Sequence, residues 1–162
     1  MTIILTAILV IAACFGAVLL VGAPYVPTLK KSRSAALDLL GLKTGQTLYE
    51  LGSGDGAMLV EAAKRGLNVV GYELNPFLFA VSWLRVKRYK NAKVHLGDFW
   101  RADLSKADGV YVFLIDRFMA RLDKKISREV KGKKIKLVSH AFAIPGKKPA
   151  KKTGAMLLYV YN

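Results

Sequence analysis

Glycines recur at every second position in the run Glu50, Leu51, Gly52, Ser53, Gly54, Asp55, Gly56. The residues before it, 47–51, are apolar and β-prone, whereas 57–65 have helical spacing and are closed by Gly66. A chain that leaves a buried strand, turns within five residues and enters a helix belongs in a layered α/β architecture, where such turns sit at the carboxyl ends of the strands. The rest of the sequence keeps that rhythm. Ser34 caps a helix over 34–40 that Gly41 stops. Strands follow over 68–73, 93–96, 110–115 and 135–143, and helices over 77–89, with Pro76 in the first turn, and 118–130. Residues 145–154 lack helical pattern and carry Lys147, Lys148, Lys151 and Lys152 in a hairpin-like loop before a last strand over 155–161. The expected fold is a Rossmann-type α/β sheet, mostly parallel, with the last strand antiparallel beside the fifth.

The turn has acidic company. Glu73 ends the second strand, placed to accept from ribose hydroxyls, and Asp98 follows the third, placed to accept from an adenine amino group, with Phe99 or Trp100 offering a ring to the base. A dinucleotide fingerprint uses a similar glycine turn and acidic residue, and its spacing fits here if Ala57 is the third small residue. Asp55 argues the other way, because it stands where a pyrophosphate would approach the helix N-terminus, and a carboxylate there repels phosphate. A sulfonium cofactor with an amino-acid tail has no phosphate to repel, and its ammonium suits Glu50 or Asp55. S-adenosyl-L-methionine is therefore the expected cofactor. Its expected contacts are Glu50, Gly52, Ser53, Gly54, Asp55 and Gly56 in the turn, Glu73, Leu74 and Asn75 after the second strand, and Asp98 and Phe99 after the third.

These residues, together with Gly71, Tyr72, Pro76, Ser82 and Trp100, resemble class I, seven-strand methyltransferases. Combined with an apolar N-terminal segment and Pro24 to Thr28, they are similar to the membrane-associated lysine methyltransferases related to the mitochondrial enzymes that modify the ATP synthase c subunit and the adenine nucleotide translocase. The resemblance covers roughly residues 1–100 and implies protein-lysine N-methylation. It also implies that Tyr25 and Thr28 close over the cofactor. The chain departs from that family in having Ala57 where an arginine often follows the glycine turn.

From Thr2 to Ala23 no residue is charged, and about 20 such residues match the roughly 30 Å hydrocarbon core of a bilayer. No basic residue precedes this run, and it exceeds the apolar core of about 7–15 residues in a cleaved signal peptide. Lys30, Lys31 and Arg33 follow it, which places the remainder on the cytoplasmic side of a single-pass anchor. The expected organisation is an anchor over 1–23, a Pro24 and Pro27 linker over 24–33, and a methyltransferase domain over 34–162. Cys14 is the only cysteine, so neither a disulfide framework nor a cysteine zinc site is available, and no metal is expected.

The 26 basic against 11 acidic residues leave a formal charge of +15. Arg117, Arg121, Lys124, Lys125 and Arg128 share one helix, and with the C-terminal lysines they suit an anionic lipid surface. The expected partners are thus a substrate protein with an acceptor lysine, in or near a membrane, and anionic lipid. Asp116, after the fourth strand, is the candidate for orienting or deprotonating the acceptor, its alternative role being a helix cap. His140 and His95 are read as structural. Two other functions are weighed: methylation of a small molecule, lipid or RNA, and a non-catalytic basic protein that binds nucleic acid, which the acidic cofactor set disfavours.

Overall fold

The computed structural model describes residues 25–130 and 132–162, together with positions 4–6, 9 and 16. The expected anchor over 1–23 lies almost wholly outside the described residues. Among those described, no helix is long and apolar enough to cross a membrane.

Among the described residues, four helices, α1 (Lys30–Leu40), α2 (Ala57–Lys64), α3 (Pro76–Val86) and α4 (Met119–Glu129), flank a seven-stranded sheet. Its strands are β1 (Thr47–Leu51), β2 (Asn68–Glu73), β3 (Ala92–Leu96), β4 (Gly109–Val112), β5 (Ile135–His140), β6 (Lys151–Thr153) and β7 (Met156–Tyr161), in the spatial order β3-β2-β1-β4-β5-β7-β6. β1 to β5 are parallel neighbours and β7 runs antiparallel to β5, as the sequence pattern implies.

The centre of the sheet is covered on both faces, which is why β4 is buried throughout and reads as an unbroken hydrophobic run. On one face Leu48, Val69, Tyr111 and Val138 pack beneath Leu37 and Leu40 of α1, Leu59 and Ala62 of α2 and Val86 of α3. On the other, Tyr49, Leu51, Val110, Leu137 and Tyr159 pack against Met119, Leu122 and Ile126 of α4. Leu48 and Tyr49 are adjacent in sequence yet face opposite layers, the two-residue period of a strand.

Several expected boundaries shift. α1 begins four residues early, at Lys30, after Leu29, which gives no side-chain cap, so Ser34 lies inside the helix; Gly41 ends it at φ 53° as anticipated. Asn75 caps α3, its side chain accepting from the amides of Phe77 at 2.9 Å and Leu78 at 3.3 Å. The fourth strand ends at Val112, and a short 3₁₀ turn, Asp116–Phe118, precedes α4. β5 ends at His140, because Ala141 takes a left-handed φ of 69° that breaks the ladder. The lysine-rich loop contributes the edge strand β6, paired with β7 through Gly154 at φ 57°. Exposed lysines on that edge discourage pairing with a further strand.

The loop after β5 is tied down by a buried hydrogen bond in which the Ile144 amide donates to Tyr159 Oη at 3.0 Å. Tyr159→Phe leaves that amide without a partner in the core. The expected cost is about 1–3 kcal/mol, read as a lower denaturant midpoint at unchanged slope.

Candidate active site

β1 and its turn set the floor of the site. The glycine turn folds back toward β2, with the amides of Gly52 and Ser53 donating to the Tyr72 carbonyl at 3.0 and 2.8 Å. Glu73, at the tip of β2, clamps both sides of this turn: Oε2 accepts from the Gly54 amide at 2.7 Å and Oε1 from the Asn75 amide at 2.8 Å. Burial raises its pKa, and these amide donors oppose the rise.

Glu50 lies in the row that pairs across the sheet with Gly71 on β2 and Tyr111 on β4. It is buried, and its Oε2 has no hydrogen-bond partner in the protein. Burial pushes its carboxyl well above the usual range, neighbouring Asp55 and Glu73 push the same way, and Arg33 partly offsets them. Such a group either keeps its proton or, once ionised, is stabilised by a cation brought beside it.

Asp55 accepts from the Ala57 amide at 3.1 Å and pairs with Arg85 of α3. The segment before α1 passes over the turn: Tyr25 lies against Gly54, and its phenol, raised in pKa first by burial and then by Asp55, bonds to that carboxylate. Arg33 holds the Thr28 carbonyl and reaches Glu61 of α2 at 3.2 Å. Asp98 caps the turn it begins, Oδ1 accepting from the Trp100 amide at 3.0 Å, so the turn role stands beside its place on the cavity wall.

Together these elements enclose a cavity of about 240 Å³. Of the expected contact residues, Glu50, Gly52, Ser53, Gly54, Asp55, Glu73, Leu74, Asn75, Asp98 and Phe99 line it. Gly56 does not, because it packs against Ser82 of α3 behind the wall. Asp116 is exposed on its 3₁₀ turn and apart from the lining, and the N-cap positions of that turn and of α4 fall on Ile115 and Phe118, so Asp116 holds neither the crevice place nor the cap position expected of it. Lys125, expected on a solvated basic face, is buried: its ammonium donates to the Ala102 carbonyl at 2.6 Å and to Glu129 at 2.6 Å. His140 stays outside the lining, its ring 4.1 Å from that of Phe113 and its Nδ1 3.3 Å from Tyr111 Oη, a wall-supporting role.

Arg33, Met58, Leu78, Tyr111 and Phe113 also line the cavity, beyond the residues expected from sequence. Tyr111 and Phe113 follow from alternation along β4 once β4 is known to lie beside β1. Arg33 sits on a helix remote in sequence, and no local pattern marks it.

The lining suits S-adenosylmethionine. Four acidic side chains, Glu50, Asp55, Glu73 and Asp98, and one guanidinium, Arg33, line the cavity, and even with Arg85 pairing Asp55 from behind the wall the balance stays acidic, hostile to pyrophosphate and hospitable to a cationic adenosyl donor. Oε2 of Glu50 and Oγ of Ser53 are buried with no partner in the protein, a polar end suited to an amino-acid tail, while Leu74, Leu78, Phe99 and Trp100 offer apolar surface to a base. Residues 50–151 match the ANTKMT methyltransferase domain. The chain belongs to that family.

Relatives of this ANTKMT-family chain include the human lysine N-methyltransferase of the ATP synthase c subunit, 34% identical over 81% of the chain and 57% of the relative. A protein-lysine N-methyltransferase of Saccharolobus islandicus (strain REY15A) is 32% identical over 78% of the chain and 81% of the relative. The chain thus spans little more than half the length of the human relative. Among solved structures, an RNA methyltransferase from Salinibacter ruber in complex with S-adenosyl-L-homocysteine superposes with a TM-score of 0.76 at 26% identity, over 84% of this chain and 92% of that one. The seven-strand sheet is that of S-adenosylmethionine-dependent methyltransferases.

Proposed function

We propose that this protein methylates the side-chain amine of a lysine in a membrane or membrane-proximal protein, using S-adenosylmethionine. The single observation that carries the cofactor assignment is Glu50, buried in the lining of an acid-rich cavity with its Oε2 unpartnered in the protein. The lysine acceptor is supported by relatives named as lysine methyltransferases, and the membrane setting by the substrate named for the human relative and by the uncharged run over 2–23, which we assign as a single-pass anchor followed by a short linker. The catalytic domain then faces the cytoplasmic side.

When bound, the cofactor supplies a methyl carbon activated by a sulfonium. Glu50 would receive its ammonium, Glu73 its ribose hydroxyls through the lone pairs not used by Gly54 and Asn75, and Asp98 its adenine, with Phe99 and Trp100 as apolar walls. Tyr25, held on the glycine turn, limits water entry beneath the segment that precedes α1. An acceptor lysine must arrive neutral, and an unperturbed pKa near 10.4 falls when an ammonium is desolvated. The apolar wall of Phe99, Trp100 and Phe113 gives that environment without a dedicated base. Positioning donor and acceptor and excluding water supply the main part of the rate.

Incubating the purified protein and isolated membranes with a methyl-labelled donor tests this reading. Label is expected in a protein band, recovered as methyl-lysine after hydrolysis, and is expected to be lost with Glu50→Gln. Label extracted with lipid or RNA, or unchanged by that substitution, would overturn the assignment. Because Asp116 is exposed and apart from the cavity, Asp116→Asn is expected to leave the rate within about two-fold of wild type, as for surface changes remote from a site.

A further inference from the structure

We propose that the outer face of α3 is a second membrane contact, lying on the surface of an anionic bilayer beside the point where the N-terminal apolar run joins the domain. α3 buries Leu78, Ser82 and Val86 inward and turns Arg85 toward Asp55. That leaves Phe77, Ala80, Trp83 and Leu84 outward, with Phe77, Trp83 and Leu84 each about half exposed at 47%, 49% and 55%. No charged residue interrupts this strip from Pro76 to Leu84. Immediately beyond it come Lys87, whose ammonium lies 5.3 Å from the Trp83 ring centre, then Arg88 and Lys90, all exposed. An apolar strip with a tryptophan at its border and a basic margin is the pattern of a helix lying in a membrane interface.

The occupant is argued from where the chain enters. Tyr25 packs on Gly54, and Arg85 of α3 pairs with Asp55, so the entering chain and the last turn of α3 hold the same dipeptide. A run over 2–23 embedded in a bilayer therefore delivers the domain with this end of α3 close to the headgroups. The basic margin complements an anionic leaflet. The alternative basic helix, α4, is on the opposite layer and contributes no exposed large apolar side chain, so it fits solvent better than lipid. Docking through α3 rests on the anchor reading for its geometry, yet the two fail separately.

The chain has two tryptophans, Trp83 and Trp100, so the full-length Trp100→Phe protein reports from Trp83 alone. Mixed with vesicles of phosphatidylserine and acyl-brominated phosphatidylcholine, its emission should shift to the blue and be quenched. Lys87→Gln with Arg88→Gln should lower the ratio of docked to free domain by about 25-fold, at roughly five-fold per basic residue. Flotation with neutral vesicles reads the anchor by itself. Flotation with Trp83 unquenched on anionic vesicles would overturn docking while the anchor stands. Quenching on anionic vesicles without flotation on neutral ones would remove the anchor and support docking. Quenching indifferent to the double substitution, or a detergent-stable dimer dissociated by Leu84→Glu, would overturn the proposal, the last by giving the face to a second copy.

Discussion

Gly56→Ala is expected to cost about 2–5 kcal/mol of stability and to abolish cofactor binding. Gly56 precedes α2 at φ 78°, a backbone region that an L residue occupies only under strain. A Cβ there would stand 2.4 Å from Ser82 Oγ and 3.0 Å from Ser82 Cα. The hydroxyl can rotate aside; the Cα cannot, so α3 must move as a body. That helix presents Asn75, whose amide donates to Glu73, and Arg85, which holds Asp55, so displacement propagates into both acids of the turn. Gly52 supplies the contrast. Its φ is 86°, but no atom lies within 4 Å of a Cβ placed there. Gly52→Ala should therefore cost only the backbone strain, about 1–2 kcal/mol, while its methyl occupies space that a ligand needs. Thermal unfolding and calorimetry with S-adenosylhomocysteine separate the two: both variants lose binding, and only Gly56→Ala loses most of its stability. Unchanged affinity in Gly52→Ala would show that no ligand approaches that backbone.

Much of this site is legible in sequence because it is built from strand tips. Glu50 is next to last in its strand, Glu73 ends one and Asp98 follows one, all strands that hydrophobic patterning reveals, and the carboxyl ends of parallel neighbours converge on one edge whatever the side-chain detail. Asn75 is more ambiguous, because a position just after β2 suits a cofactor contact and a helix cap alike, and the structure shows one residue capping α3 while lining the cavity. What sequence conceals depends on partners distant along the chain. Lys125 looks like any basic residue on an amphipathic helix until the Trp100 and Ala102 carbonyls are brought beneath it. Asp116 belongs at a strand end only if β4 extends to residue 115, whereas pairing with β1 and β5 ends at Val112, and the three intervening residues carry the carboxylate out to solvent. β6 is invisible for a physical reason as well: three exposed residues with no apolar face make a strand only because β7 offers an open edge.

Glu50→Gln is expected to weaken S-adenosylhomocysteine binding by about ten- to a hundred-fold, the worth of roughly 1.5–3 kcal/mol for a hydrogen bond to a charged group. It should also flatten the pH dependence of both binding and stability. Folding raises the Glu50 pKa through burial and through Asp55 and Glu73, so the native state holds this proton more tightly than the unfolded chain does. The ligand-free protein therefore has its full Glu50-linked stability below the unfolded value near 4.3, and loses it as pH rises through the native value. Glu73, raised in the same direction, adds to that fall. A bound ammonium reverses the preference at Glu50 by favouring the ionised form, so ligand binding expels a proton wherever the free carboxyl is still protonated. Affinity should then climb with pH up to the native Glu50 value, and decline again once the ligand's own amine loses its charge. Calorimetry in two buffers of different ionisation enthalpy counts the proton released. Wild type should release a fraction that shrinks as pH rises, and Glu50→Gln should release none from this site. Wild-type affinity in Glu50→Gln at neutral pH would mean that the buried carboxylate is stabilised by something other than the ligand's cation.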